Sequence, residues 1–417
     1  MNIAIIGSGI SGLTVAHRLH REHALTVFEA ADWIGGHTHT VDVRCGGRDY
    51  AVDTGFIVFN DRTYPHFIAL LDELGVASRP TTMSFSVSCE RTGLEYGGSN
   101  LNTLFAQRRN LLRPAFYRML LDILRFNREA PAVLDGPAPG PTLGELLAAG
   151  GYGRGLREHY LLPMAAAIWS AGTATLERMP ARNFVSFFRN HGLLSVSRRP
   201  QWRTVTGGSR EYVRRLVAPF AGRIRLGCPV ARVTRRSGGV EVKPLGAPAE
   251  TFDAVVFACH SDQALRLLGD ASAAEREILG AIPYQANDVV LHTDARLLPS
   301  RPRAQAAWNY HLLAEPQDGV PVTYDMNALQ GLDAPRRFCV TLNRTRHIDP
   351  REVIARYTYH HPVFTPAAIA AQARRHEISG RQRTWYCGAY WGYGFHEDGV
   401  RSALDVVADF TRTRVAA

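Results

Sequence analysis

The chain has almost no lysine: Lys243 is the only one, so nearly all of its 48 basic residues are arginine. Arginine keeps its proton in proteins and cannot act as a base. Cysteine is sparse as well. Cys45, Cys89, Cys228, Cys259, Cys339 and Cys387 are scattered, and no two form a C-x-x-C pair. That spacing argues against a disulfide framework and a zinc site, and it fits a reducing cytoplasm. Cys259, at the end of an apolar run, is expected in the core. No apolar run approaches the roughly 18 residues that span a bilayer, so any membrane contact is expected to be peripheral. No signal-peptide pattern opens the chain. Internal repeats and low-complexity linkers are also missing. Acidic residues, at 38, are outnumbered, and the formal net charge of +10 favours anionic surfaces or substrates. No DNA- or RNA-binding module appears, so nucleic acid is not an expected partner.

What is present suffices for a core. Of 417 residues, 46% are hydrophobic and 21% charged, which fits two or three domains or one large composite unit. The informative stretch comes first. Ile3 to Ile6 is an unbroken apolar run, as expected of a buried parallel strand. Gly7, Gly9 and Gly12 follow in G-x-G-x-x-G spacing, and Ile10, Leu13, Ala16 and Leu19 then recur at helical spacing. A second strand, Ala24 to Phe28, ends at Glu29, twenty positions after Gly9. Gly7 permits the tight turn, Gly9 lets backbone approach a pyrophosphate, and Gly12 lets helix and strand pack. Ile10 and Ser11 open the helix, whose free N–H groups and dipole favour phosphate. Glu29 can accept hydrogen bonds from an adenosine ribose, and its charge argues against a 2′-phosphate. Ala30 continues toward Gly35-Gly36-His37-Thr38, expected beside the pyrophosphate. Gly55, Phe56 and Ile57, after Asp53-Thr54, are placed to present backbone N–H groups to a flavin ring.

Together, Gly7/Gly9/Gly12, Glu29, Gly35-Gly36 and Asp53-x-Gly55 resemble the FAD-binding N-terminus of the flavin amine oxidase, protoporphyrinogen oxidase and phytoene desaturase superfamily. The resemblance continues in separated pieces. Thr206-Gly207-Gly208-Ser209 looks like the entry to the second half of the FAD domain. Ile224 to Val233 looks like the strand whose Val230 backbone meets the adenine, and Asp253 to Cys259 like the next buried strand. Trp385 to Gly399 resembles the segment that closes over the isoalloxazine, with Gly388, Ala389, Phe395 and Asp398 at the cofactor. Where the family usually carries an acid after this glycine, the chain has Ala389. The resemblance implies an α/β (α+β) fold: a Rossmann-like FAD-binding domain and a discontinuous, amine-oxidase-like substrate domain of mixed sheet and helices. The expected division is 1–75, 200–265 and 380–417 for FAD, and 76–199 and 266–379 for substrate. Within the latter, strands are expected at Thr82–Cys89, Leu94–Tyr96, Asp288–Thr293, Ala306–Leu313, Val322–Met326 and Cys339–Asn343. Helix is expected through most of Leu101–Arg199, broken at Pro137–Pro141.

Residues 101–130 carry Arg108, Arg109, Arg113, Arg118, Arg125 and Arg128 against only Asp122 and Glu129, interleaved with leucine and phenylalanine. Two readings stand: a helix lying on an anionic membrane, or a cap helix with a solvated arginine face. Candidate catalytic groups are His396, Glu397 and Tyr310, the first two as proton acceptors at the flavin edge. Asp398 suits a helix cap. His360 and His361 are expected in a turn before Pro362, and no metal site is expected.

Typical amine oxidases of the superfamily place a lysine near the flavin. Lys243 is far in sequence from that place, so amine chemistry is disfavoured. The marks Asp53 to Asn60, Trp308 to His311, Thr341 to Asn343, Tyr359 to Pro362 and Gly394 to Gly399 resemble a bacterial branch associated with cyclopropane-fatty-acid-synthase-type methyltransferases. Members of that branch are implicated in desaturating methyl-branched acyl chains in furan fatty acid synthesis. The resemblance implies an FAD-dependent desaturase of a methylated or unsaturated fatty acyl chain, free or phospholipid-borne, reoxidised by oxygen or a carrier. It would be cytoplasmic, or peripheral on the inner face of the membrane. The alternatives are an amine oxidase, a carotenoid-type desaturase or isomerase, and a flavin- and lipid-binding protein without redox turnover.

Overall fold

The computed structural model describes residues 1–137, 140–197, 199–315 and 319–415, with side chains through 412. Two central residues of the expected Pro137–Pro141 break, Ala138 and Pro139, lie outside the described residues.

Five strands form one parallel sheet, in the order Ile224–Arg225, Ala24–Phe28, Asn2–Ile6, Ala254–Phe257, Thr384–Tyr386. Side chains alternate across a strand, and this alternation divides two cores. Ile3, Ile5, Leu25, Val27, Ala254 and Val256 face the helices Ile10–Leu19, Arg210–Val217 and His396–Val415. Ala4, Ile6, Phe28, Val255 and Phe257 face the other way, onto the antiparallel strands Val230–Arg236, Gly239–Pro244 and Glu250–Phe252. Both faces are covered, which explains the unbroken apolar runs.

A second sheet has seven strands, ordered Val353–Pro362, Tyr284–His292, Cys339–Leu342, Val322–Asp325, Trp308–Leu312, Phe85–Cys89, Leu94–Gly97. All its pairings are antiparallel except that of Trp308–Leu312 with Phe85–Cys89. One core joins it to the helices of 114–190, including Pro114–Glu129, Leu162–Trp169 and Ala181–Asn190. Trp169, Phe184 and Phe188 pack at its centre, the two phenylalanine rings stacked 4.1 Å apart.

One expectation is overturned here. His360 and His361 are not in a turn. They end the ten-residue strand Val353–Pro362, paired with Ala286 and Gln285. Pro362 is the last residue of an edge strand, a place where its missing N–H breaks no ladder.

Candidate cofactor and substrate site

An elongated cavity of about 620 Å³ runs from the glycine loop to the inner face of the seven-stranded sheet. Its first wall is the N-terminal loop. Gly7 has φ +106°, and a β-carbon there would come within 2.8 Å of the Ala258 carbonyl oxygen. At Gly12 a β-carbon would lie 2.1 Å from the Gly7 carbonyl oxygen, so helix and strand meet with no room for a side chain. Gly9 is different: a β-carbon there would meet nothing within 4 Å and would project into the cavity. Gly36 lies on it, its own β-carbon position 3.2 Å from Gly9 Cα. Ile10 and Ser11 also line the cavity, whereas Gly12 sits behind the wall.

The Glu29 carboxylate accepts hydrogen bonds from Ser8 N–H (2.8 Å), Ser8 O–H (2.7 Å) and Ala31 N–H (2.9 Å). A carboxylate offers about four acceptor positions, so it is oriented yet retains acceptor capacity toward the cavity. Ala30, Val230 and Cys259 line this end. Cys259 therefore belongs to the cavity wall, not to the solid core expected for it.

Gly35, Gly36 and His37 continue the wall. His37 belongs to a group of four histidines that residue spacing did not reveal, because they come from three distant segments. Its ring lies 5.4 Å from His361 and 6.3 Å from His260, and His260 lies 6.2 Å from His360. Burial, reinforced by the neighbouring histidines, pushes His37 down to about 4 and His260 and His361 to about 3. The Nε2 atom of His37 has no hydrogen-bond partner among the described residues. Among the described residues no group of histidine, cysteine or carboxylate side chains is arranged to hold a metal ion.

At the far side of this loop lie Gly55, Phe56 and Ile57. A β-carbon at Gly55 would come within 2.2 Å of the His37 carbonyl oxygen, so the two loops are pressed together. Asp53 holds them from behind, accepting from Ser209 N–H and O–H and from Gln330 Nε2. Gly388, Ala389 and Phe395 complete the wall, and the helix His396–Val415 starts at its rim.

The candidate catalytic groups separate. His396 lines the cavity and its ring lies flat on Phe56, centroids 3.5 Å apart. Its Nε2 is 2.9 Å from Thr38 Oγ1 and 3.1 Å from the Tyr212 hydroxyl, and burial holds it well below its ordinary pKa. Thr38 thus stands behind the wall, beneath His396. Glu397 is off the wall: its two oxygens accept from the N–H groups of His66 and Phe67, at the start of the helix Pro65–Glu73. Asp398 is also off the wall. It accepts from Tyr393 and Phe395 N–H and pairs with Arg401, while burial raises it to about 6. Tyr310 is buried between sheet and helices, outside the cavity lining; its strand neighbour Trp308 and the facing Tyr324 line the cavity instead.

The inner end of the cavity is walled by Met83, Ala167, Ile168, Val289, Trp308 and Leu342. Tyr359, also on the wall, donates or accepts through its hydroxyl at 2.8 Å from Thr54 Oγ1 and 3.1 Å from His39 Nδ1. Sequence reasoning singled out neither Tyr359 nor His260 as a site residue. Lys243 is exposed on the strand Gly239–Pro244, away from this cavity.

The cavity fits a dinucleotide: a glycine whose absent β-carbon opens onto it, an oriented carboxylate, and an unpartnered buried imidazole nitrogen. The family model of flavin containing amine oxidoreductases matches residues 10–324, and the chain belongs to that family. It is a flavin-dependent oxidoreductase, and FAD is its cofactor. Cyclohexylamine oxidase from Brevibacterium oxydans IH-35A shares the fold with TM-score 0.72 and 16% identity, 99% of each chain being covered. The CLA-producing fatty acid isomerase from P. acnes gives 0.67 and 18%, with 98% of each chain covered. Putrescine oxidase, in a structure with putrescine bound, gives 0.68 and 16%, with 99% covered in each. No curated protein matches significantly.

Proposed function

We propose that this flavoenzyme desaturates a methylated or unsaturated fatty acyl chain. The observation that carries the reading is the inner end of the cavity. Met83, Ala167, Ile168, Val289, Trp308 and Leu342 offer apolar and aromatic surface, joined by the hydroxyl-bearing Ser170 and Tyr324, and no carboxylate or lysine stands among them. Such a wall binds hydrocarbon by excluding water and gives an alkylammonium group no counter-charge. The single lysine, exposed elsewhere, supports the same choice. A fatty acid isomerase among the proteins of like fold is in keeping with it.

Held beside Gly55 and Gly388, FAD would supply the acceptor for a hydride. The protein's part is to hold the acyl chain so that an allylic carbon is presented, to exclude water, and to take a proton. Loss of hydride leaves an allylic cation, and loss of a proton from the neighbouring carbon gives the diene. Phe56, Ile57 and Gly388 would hold the flavin end, Glu29 and Val230 the adenosine end, and Gly9, Ser11, Gly36 and His37 the phosphates.

The test is anaerobic mixing of the holoprotein with extracted methylated and unmethylated phospholipids. Bleaching of the flavin band with a product lighter by two hydrogen atoms is the expected result. Bleaching by an amine and by no lipid would overturn the proposal. A lipid product of unchanged mass would make the enzyme an isomerase.

A further inference from the structure

Six of the eleven exposed large hydrophobic side chains among the described residues fall between residues 101 and 124. The helix Pro114–Glu129 explains why. Its inner face buries Phe116, Met119 and Phe126. Its outer face carries Tyr117, Leu121 and Leu124, at i, i+4 and i+7, so they form a second apolar stripe. Leu121 is 67% and Leu124 51% exposed. The preceding turn, Arg108–Leu112, adds Leu111 and Leu112, the latter 88% exposed. It is tied to the helix by the Tyr117 hydroxyl, which donates to the Leu111 carbonyl oxygen at 3.1 Å. A surface helix with apolar residues on both faces is not explained by its own core.

The charges around this stripe identify what covers it. Arg108, Arg109, Arg113 and Arg118 are exposed, and among the described residues none of them pairs with a carboxylate. Arg108 and Arg109 instead donate to the carbonyl oxygens of Phe105 and Gly93, which fixes their stems without neutralising them. A second protein copy would bring the same positive charge against itself. An anionic lipid surface supplies acyl chains for the leucines and phosphates for the arginines.

We propose that residues 108–124 form a docking surface for an anionic phospholipid bilayer, with Leu111, Leu112, Tyr117, Leu121 and Leu124 entering the interface and Arg108, Arg109, Arg113 and Arg118 on lipid phosphates. The helix lies on the membrane and does not cross it; no helix of the described residues is long and apolar enough to do so. The surface stands on exposure and charge alone, and so it holds whatever the substrate of the cavity is.

The experiment is flotation of the holoprotein with vesicles of phosphatidylglycerol and phosphatidylethanolamine, and with phosphatidylcholine alone. The wild type is expected to float with the anionic vesicles and to be released by salt, since each arginine at such a surface contributes about fivefold in partitioning. The double variant Leu112→Ser/Leu121→Ser, at exposed positions, is expected to lose at least about tenfold in binding while keeping its flavin content. Arg108→Gln/Arg113→Gln/Arg118→Gln is expected to abolish the preference for anionic lipid. Wild type that stays with the soluble fraction, or a leucine variant that floats equally well, overturns the proposal. So does a wild-type dimer that the leucine variant dissolves, which would give the face to a second copy.

Discussion

The hydroxyl of Tyr359 is hydrogen-bonded to Nδ1 of His39 at 3.1 Å, joining the cavity wall to a half-buried imidazole on its outer side. Burial, opposed by the charge of Asp32, lowers the pKa of His39 from its ordinary value, which favours the neutral ring that can receive a proton. Tyr359 itself is pushed far up by burial and does not ionise alone. In the proposed reaction the pair would act as a relay, a proton arriving at the tyrosine oxygen as the tyrosine's own passes to His39. Tyr359→Phe is therefore expected to lower kcat about tenfold to a hundredfold with the flavin spectrum unchanged. An acid limb in the wild-type kcat profile, which protonation of His39 would produce, is expected to disappear in this variant. An undiminished kcat in Tyr359→Phe would remove the relay.

Gly9 and Gly12 separate cofactor binding from folding. At Gly9 a β-carbon meets no protein atom, and the backbone φ of −69° suits alanine. Gly9→Ala is expected to fold with the melting temperature of the wild-type apoprotein and to lose FAD. Gly12→Ala forces a methyl against the Gly7 carbonyl oxygen and is expected to cost about 3 kcal/mol in the apoprotein itself. Thermal melts and flavin absorbance on the two variants check both statements. Equal loss of stability in both would mean that the space over Gly9 is not cofactor space.

Glu397 holds the start of the helix Pro65–Glu73 through two backbone N–H groups. This is a capping role at a distance of more than three hundred residues in sequence. Glu397→Ala is expected to destabilise by about 1–2 kcal/mol and to leave the shape of the kcat profile against pH unchanged. Loss of a limb from that profile would return Glu397 to the chemistry.

Acid is expected to destabilise the apoprotein. His37, His260, His361 and His396 at the cavity, with His191, His292 and His311 elsewhere, all have pKa values lowered by burial. The unfolded chain takes up protons at these rings near pH 6.5, and the folded protein does not. Their contribution is thus present above pH 6.5 and is lost as the pH falls toward 4. For His292, fully buried and held at about 4, the loss from pH 7 to pH 5 is about 2 kcal/mol. Asp53 and Asp398, both raised to about 6, act in the opposite sense, losing stability as the pH rises through 6. Seven histidines outweigh two aspartates, so the melting temperature should be lower at pH 5 than at pH 7. A melting temperature that rises on acidification would show that the aspartates dominate.

Local spacing carried the nucleotide loop, because its chemistry is local. Gly7, Gly9, Gly12 and Glu29 lie within or beside one strand-turn-helix-strand unit, and the structure places that unit where the spacing put it. The strands of the second sheet were legible for the same reason, through their apolar and β-branched runs. His360 and His361 were misread, since Pro362 suggests a turn; only their pairing with Ala286 and Gln285 makes them strand. Glu397 reads as a candidate at the flavin edge from its chain neighbours, while its hydrogen-bond partners, His66 and Phe67, lie more than three hundred residues away.

What the order of residues determines by itself is thus the family, the cofactor and the apolar runs, since each rests on contacts between near neighbours in the chain. Only the tertiary structure decided which candidates face the cavity. It joined His37 to His260 and His361, set Tyr359 against His39, turned Tyr310 into the core, and left Leu112 and Leu121 without cover. These are contacts between segments up to several hundred residues apart, and no spacing along the chain encodes them. They follow from two sheets closing on one cavity.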